Sequence, residues 1–194
     1  MSKRVIAISR EFGSGGRTIG KELAAKLGIP CYDAEILEKI AEQSGFTKEY
    51  IAEHGEYATG CNWLTHAFSA RDYNGHSYQD DLWALQHKII LELAEKESCV
   101  IVGRCADYIL RNDPNCLRVF IHADMESRAK RIVEQYGERS DSPEKRLKDK
   151  DKRRATYHQF YTDMKWGNVA NYHITLNSGA LGIDKCVEIL EGMF

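Results

Sequence analysis

The 194-residue chain has no excess of charge of one sign: 27 basic residues face 29 acidic ones, for a net charge of -2. That balance removes the global electrostatic pull expected of a nucleic-acid or membrane-surface binder, so any anion site has to be local. The six cysteines form no CxxC pair, and the seven histidines have no metal-ligand spacing, which argues against a structural zinc site. Scattered as they are, Cys31, Cys61, Cys99, Cys105, Cys116 and Cys186 include several inside apolar runs, where they read as small core hydrophobes of a reduced, cytoplasmic protein. Long apolar runs are missing as well. The opening MSKRVIAISREFG holds only a short one before Arg10 and Glu11, which fits neither a signal peptide nor a membrane span. There is no internal repeat and no low-complexity linker. A chain that is 43% hydrophobic and 29% charged is enough for one sizeable core.

Short β-branched runs at 5–8, 99–102, 117–121 and 172–176 predict buried strands, with a weaker fifth at 29–32 after the break at Gly28 and Pro30. Helical patterns fall between them. Ile19, Leu23 and Leu27 recur at four-residue spacing in 17–27, and Asp33 reads as a cap for a helix over 34–43. Further helices are predicted over 82–96, 106–111, 125–136 and 183–190. Strands apolar on both sides, alternating with helices, predict an α/β fold with a parallel sheet covered on both faces. Ligands of such sheets bind beyond the carboxyl ends of the strands, which singles out 9–17, Gly103-Arg104 and Asn177-Ser178.

Two regions break the alternation. Residues 44–81 carry four glycines among polar and aromatic residues and read as an inserted lobe. Residues 139–154, RSDSPEKRLKDKDKRR, hold eight basic and four acidic side chains, a local excess of positive charge. If 144–165 is helical, Arg146, Lys150, Arg153, Tyr157 and Tyr161 share one face. Taken alone, a solvated helix laced with ion pairs explains this run slightly better than a ligand site does; beside a phosphate loop the preference reverses.

That loop is the stretch REFGSGGRT. A turn leaving a strand and opening a helix converges backbone N–H groups on one point at the positive end of the helix dipole, which suits phosphate. Gly13, Gly15 and Gly16 supply the needed backbone freedom, Ser14 and Thr18 offer hydroxyls, and Thr18 is placed to reach magnesium or a phosphate oxygen. The Gly-Lys-Ser/Thr end of a phosphate loop is absent. With Gly16 in the lysine slot there is no cation there and Arg10 takes the first glycine slot; with Arg17 in the lysine slot, Glu11 takes it. The bland reading is a tight strand-to-helix turn. Equally, Asp33 serves as a helix cap whatever else it does, and Arg104 at a strand end favours a ligand over a capping role. The aromatics Trp63, Phe68, Tyr73, Tyr78 and Trp83 read as core of a small lobe ahead of a stacking pocket. His54, His66, His76 and His158 read as bystanders, since a phosphate acceptor is already an anion.

The runs SREFGSGGRTIGKELAAKLGIPCYD, DKRRATYHQFYTDMKWG and YHITLNSGALGIDKCVEIL, with CVIVGRCADYIL between them, resemble the cytidylate kinase-like family of P-loop nucleoside monophosphate kinases. The least matched part is 44–81. The resemblance implies a P-loop NTPase fold: a five-stranded parallel sheet in the order 2-3-1-4-5, a nucleotide-binding insertion at about 44–81 and a basic lid at about 137–166, all in one domain. It implies ATP with magnesium as cofactors, CMP, dCMP or a related nucleotide as acceptor, and a monomer or homodimer without nucleic-acid polymer or membrane as partner. Gly13, Ser14, Gly15, Gly16, Arg17 and Thr18 match the donor-phosphate loop, with Thr18 at the metal. Asp33 and Arg104 match acceptor-site positions, although the aspartate after that arginine is here Cys105. Lys150, Lys152, Arg153 and Arg154 fall on the lid segment, with Lys150 toward the substrate and Arg17, Arg153 and Arg154 as the catalytic cations. Asn177 and Ser178 fall on the loop bordering the donor base. Two rivals stay open: a P-loop kinase for another small acceptor, and a nucleotide-binding regulatory protein without catalysis.

Overall fold

The structure is a computed structural model and describes residues 4–33, 36, 39, 42 and 78–194. Five parallel strands, β1 (Val5–Arg10), β2 (Cys31–Tyr32), β3 (Cys99–Val102), β4 (Cys116–His122) and β5 (Ile174–Asn177), form one sheet in the order β2-β3-β1-β4-β5. Side chains alternate along each strand, so two separate cores arise from the same residues. Val5, Ala7, Cys99 and Ile101 face α2 (Tyr78–Lys96) and α3 (Ala106–Ile109), meeting Ile89, Ile90, Leu93 and Ile109. Ile6, Ile8, Val100, Val102, Val119 and Ile121 face the other way. There they meet Ile19 and Leu23 of α1 (Gly16–Leu27) and Val187 and Leu190 of α7 (Ile183–Glu191). Burial on both faces is why these strands are continuous apolar runs.

The remaining helices are α4 (Met125–Tyr136), α5 (Pro143–Thr162) and the single turn α6 (Ser178–Leu181). Their starts are chemically marked. The Asp124 carboxylate accepts the Ser127 N–H at 2.8 Å at the head of α4, and Ser142 with Pro143 opens α5.

Strands β1 and β4 run one or two residues beyond the sequence pattern and β2 is shorter than it, and three further boundaries differ. Helix α2 starts at Tyr78 rather than 82, because Asp80 and Asp81 suit the positive end of a helix dipole. The helix expected over 106–111 is shorter, ending at Ile109. Strand β5 starts at Ile174 rather than 172. Tyr172 is buried because its ring packs 5.0 Å from that of Phe120, following a 3-10 turn at Val169–Asn171. The helix expected over 34–43 and the lobe expected over 44–81 lie almost wholly outside the described residues.

Candidate active site

All five strands point their carboxyl ends to the same edge of the sheet, and the segments that follow them build the site. After β1, residues 11–15 turn back into α1. Gly13 and Gly15 both have left-handed backbone, φ +76° and +79°, which side chains rarely adopt. At Gly13 a Cβ would also come within 2.9 Å of Ile132 and 3.0 Å of the Arg128 carbonyl, so the loop lies directly on α4.

The loop's carbonyl oxygens all have donors, three of them from other elements. Glu11 O accepts from the Ser14 N–H at 3.3 Å and the Ser14 hydroxyl at 2.9 Å. Phe12 O accepts from Arg128 at 3.3 Å, and Gly13 O from Arg131 at 2.7 Å. The Ser178 hydroxyl donates to Ser14 O, and Gly15 O takes the Ile19 N–H at 2.9 Å. Because Ile19 is the first residue of α1 to donate along the helix, the N–H groups of Gly16, Arg17 and Thr18 find no acceptor among the described residues. Carbonyls are anchored outward and amides left over, the polarity an anion requires.

A cavity of about 170 Å³ opens on this loop, lined by Gly13, Gly15, Gly16, Arg17 and Thr18 together with Arg10 and Arg154. A larger one, about 560 Å³, adjoins it beyond Phe12 and Tyr136, whose rings stack 6.1 Å apart. Arg139, Arg146, Lys150, Arg153 and Arg154 line it, so the predicted one-face stripe on α5 does converge on a cavity at Arg146, Lys150 and Arg153. Burial lowers the Lys150 pKa, and the neighbouring Arg153, Arg154 and Arg139 lower it further. Cations crowded this closely favour an anionic ligand.

Helix α5 is fastened to the loop. Asp151 accepts the Phe12 N–H at 2.7 Å and pairs with Arg128 at 2.5 Å, while Arg154 donates to Arg10 O at 3.1 Å. Arg128 also lies 3.5 Å from Glu11, whose carboxylate accepts the Ala123 N–H at 3.2 Å. Burial nevertheless raises the Glu11 pKa above its ordinary value, outweighing the opposite effects of Arg128 and that N–H.

The other expected site residues fall as follows. Arg17 is half exposed and pairs with the buried Asp33 at 2.5 Å, linking the loop to the end of β2. Arg104 is buried at the end of β3 in left-handed backbone, φ +58°, and its carbonyl accepts from Gln86 at 3.0 Å. Ser14 is fully buried with its hydroxyl turned from the cavity. The Asn177 side chain caps α6, accepting from Gly179 and Ala180 at 3.0 and 3.2 Å. Residues that sequence reasoning missed are Arg10, Arg128, Arg131 and Asp151. Arginines three apart on α4 were a visible signal, but nothing local marked them as loop supports.

A glycine-rich turn closing on a helix N-terminus after the central strand of a 2-3-1-4-5 parallel sheet, under a cationic helix, defines the P-loop kinases, a class of phosphotransferases. Within that class the chain belongs to the cytidylate kinase-like family, whose model matches residues 5–180. A protein of Eubacterium ventriosum ATCC 27560, described as uncharacterized, is 31% identical in a crystal structure, with 98% of each chain covered and a TM-score of 0.74. Shikimate kinase from Bacteroides thetaiotaomicron is 19% identical, with 99% of this chain and 98% of that chain covered and a TM-score of 0.57. A gluconokinase from Sinorhizobium meliloti 1021 is 16% identical, with 98% and 93% covered and a TM-score of 0.54. The last two show likeness of fold. No curated protein matches the chain. Among the described residues no helix is long and apolar enough to cross a membrane.

Proposed function

We propose that the protein transfers the γ-phosphoryl group of ATP to a nucleoside monophosphate, with CMP or dCMP as acceptor. The observation that carries this reading is the loop itself: side chains of α4 and α6 hold its carbonyls outward, leaving the first amides of α1 for phosphate. Gly13 to Thr18 hold the donor's β- and γ-phosphates. Phosphoryl transfer depends on positioning and on neutralising charge spread over the transferring group. Arg17 and the α5 cations Arg153 and Arg154 supply that charge, with Lys150 toward the substrate. Residues 137–166 act as the lid. Asp33 and Arg104, at the ends of β2 and β3, hold the acceptor, whose phosphate oxygen attacks in line.

The residues present fit a magnesium ion, which needs few protein ligands when phosphate oxygens and water complete its shell. Thr18 lines the loop cavity on the first turn of α1 and would hold it; the ion would neutralise donor-phosphate charge. Asn177 and Ser178 border the donor side through the backbone, since their side chains are engaged in capping and bracing.

A second reading, a P-loop kinase for another small acceptor, is favoured by one observation. Where the resemblance leads one to expect an aspartate beside Arg104, the chain has the buried thiol of Cys105. Measuring ADP release over CMP, dCMP, UMP, AMP, GMP and non-nucleotide acceptors decides between them. Turnover confined to CMP and dCMP supports the first reading, and turnover confined to a non-nucleotide supports the second. ATP binding without turnover on any acceptor favours a regulatory protein. Arg17→Ala lowers turnover far more than it lowers stability, the stability loss being that of the Asp33 pairing made by a side chain that is itself 54% exposed.

A further inference from the structure

The lysine missing from the loop leaves open which cation meets the transferring phosphoryl group. Arg17 stands at the lysine position in one of the two registers, and its Nε lies 2.5 Å from the Asp33 carboxylate, at the end of β2. Of the α5 cations, Lys150 and Arg153 line the larger cavity beyond Phe12 and Tyr136 rather than the loop cavity, and Arg154, which lines both, donates to the Arg10 carbonyl at 3.1 Å. Arg10 is different. It is the last residue of β1, 6% exposed, and it lines the loop cavity beside Gly15, Gly16 and Thr18.

Two glycines fix its path. A Cβ on Gly16 would stand 2.5 Å from Arg10 Cβ and 3.0 Å from Cγ, so the aliphatic stem runs against the first turn of α1. A Cβ on Gly103 would stand 2.7 Å from Arg10 Cζ, so the guanidinium lies over the end of β3. Gly103, Arg104 and Cys105 are three consecutive left-handed residues, at φ +79°, +58° and +54°, and two of them are not glycine. Strain of that kind persists where surrounding structure enforces it, and it clusters at functional sites. Here it brings the Gly103 Cα under the guanidinium. The Arg10 carbonyl, held by Arg154 at 3.1 Å, completes the anchoring.

We propose that Arg10 is a catalytic cation that takes the place of the absent lysine: its guanidinium, fixed between the phosphate loop and the end of β3, contacts the phosphoryl group in transit. This rests on the phosphotransferase reading and deepens it. As the acceptor oxygen bonds to the γ-phosphorus, the bond from that phosphorus to the bridging oxygen breaks and its electron pair leaves on the β-phosphate of ADP. Midway, the charge of the transferring group is spread over its three equatorial oxygens, and a planar, buried guanidinium can meet more than one of them.

The test compares Arg10→Gln, Arg10→Lys and Arg10→Ala with wild type. Melting temperature and the affinity for inorganic triphosphate report folding and the loop, and single-turnover rates at saturating ATP report chemistry. Removing one such donor costs about 10²- to 10³-fold in kcat. Arg10→Gln should lose that much with triphosphate affinity changed far less, Arg10→Lys should fall between, and added guanidinium should restore part of the rate of Arg10→Ala. Should Arg10→Ala fail to fold, the split between kcat and affinity in Arg10→Lys decides. Wild-type kcat in Arg10→Lys or Arg10→Gln overturns the proposal while leaving the phosphotransferase reading standing. Wild-type protein that transfers phosphoryl to no acceptor overturns both.

Discussion

Replacing Ser178 by alanine removes one oxygen atom and no charge, yet it releases the Ser14 carbonyl from its one donor among the described residues. The Ser178 hydroxyl also lies 3.3 Å from His122 O, but its single proton goes to the closer Ser14. The site is closed to water, with Ser178 1% and Ser14 0% exposed, so the carbonyl finds no solvent replacement. A buried acceptor left unpaired costs about 1–3 kcal/mol. If the loop keeps its shape, that cost appears wholly in stability, a fall in melting temperature of about 2–4 °C per kcal/mol for a chain of this size. If the peptide after Ser14 turns to relieve it, the carbonyl swings toward the cavity and the cost moves into phosphate binding. The reasoning favours the second course, because neighbouring Gly15 permits the rotation. Affinity should then fall about tenfold, equivalent to about 1.4 kcal/mol. Calorimetric titration with ATP and with inorganic triphosphate separates loop bracing from base contact. Bracing predicts the same fractional loss for both ligands. A loss seen with ATP alone would mean that Ser178 touches the nucleoside and would refute the bracing argument.

The fastening of α5 gives a second prediction. Asp151→Ala strands the Phe12 N–H and takes from the buried Arg128 its nearest carboxylate, leaving it Glu11 at 3.5 Å, at a cost of about 1–3 kcal/mol in chemical denaturation, while Asp151→Asn keeps an acceptor and loses less. The Glu11 carboxyl is pushed up by burial, so the native state holds its proton more tightly than the unfolded chain. The stability that this proton contributes is complete below the ordinary carboxylate value and is lost as pH rises through the raised one. Glu11→Gln should therefore gain on wild type across that window in melting curves taken from acid toward neutral pH, and a constant difference would contradict it. His158 and Asp107, 3.2 Å apart and each 4% exposed, tie α5 to α3. His158→Leu should cost about 3–5 kcal/mol, and the double variant with Asp107→Leu should lose clearly less than the sum of the singles.

Strands β1 and β3 were legible because burial on both faces writes itself as unbroken apolar runs, and the glycine loop was legible because left-handed backbone selects glycine. The architecture of the site was legible only as far as local pattern reaches. The bonds that orient the loop join positions far apart in the chain: Arg128 to Phe12, Arg131 to Gly13 and Ser178 to Ser14 span 116, 118 and 164 residues. Nothing in the composition around any of them distinguishes a loop support from an ordinary helix arginine or capping serine. The same limit explains the lysine slot. Spacing along the chain leaves the lysine slot at Gly16 or at Arg17, and it cannot say that Arg17 pairs with Asp33, or that Arg10, on the strand before the loop, runs its side chain across Gly16 to Gly103. A glycine pattern therefore specifies where phosphate can bind. Which charges face that phosphate is decided by tertiary contacts, and these leave a trace in sequence only where, as at Gly16 and Gly103, a missing Cβ makes room for another residue's side chain.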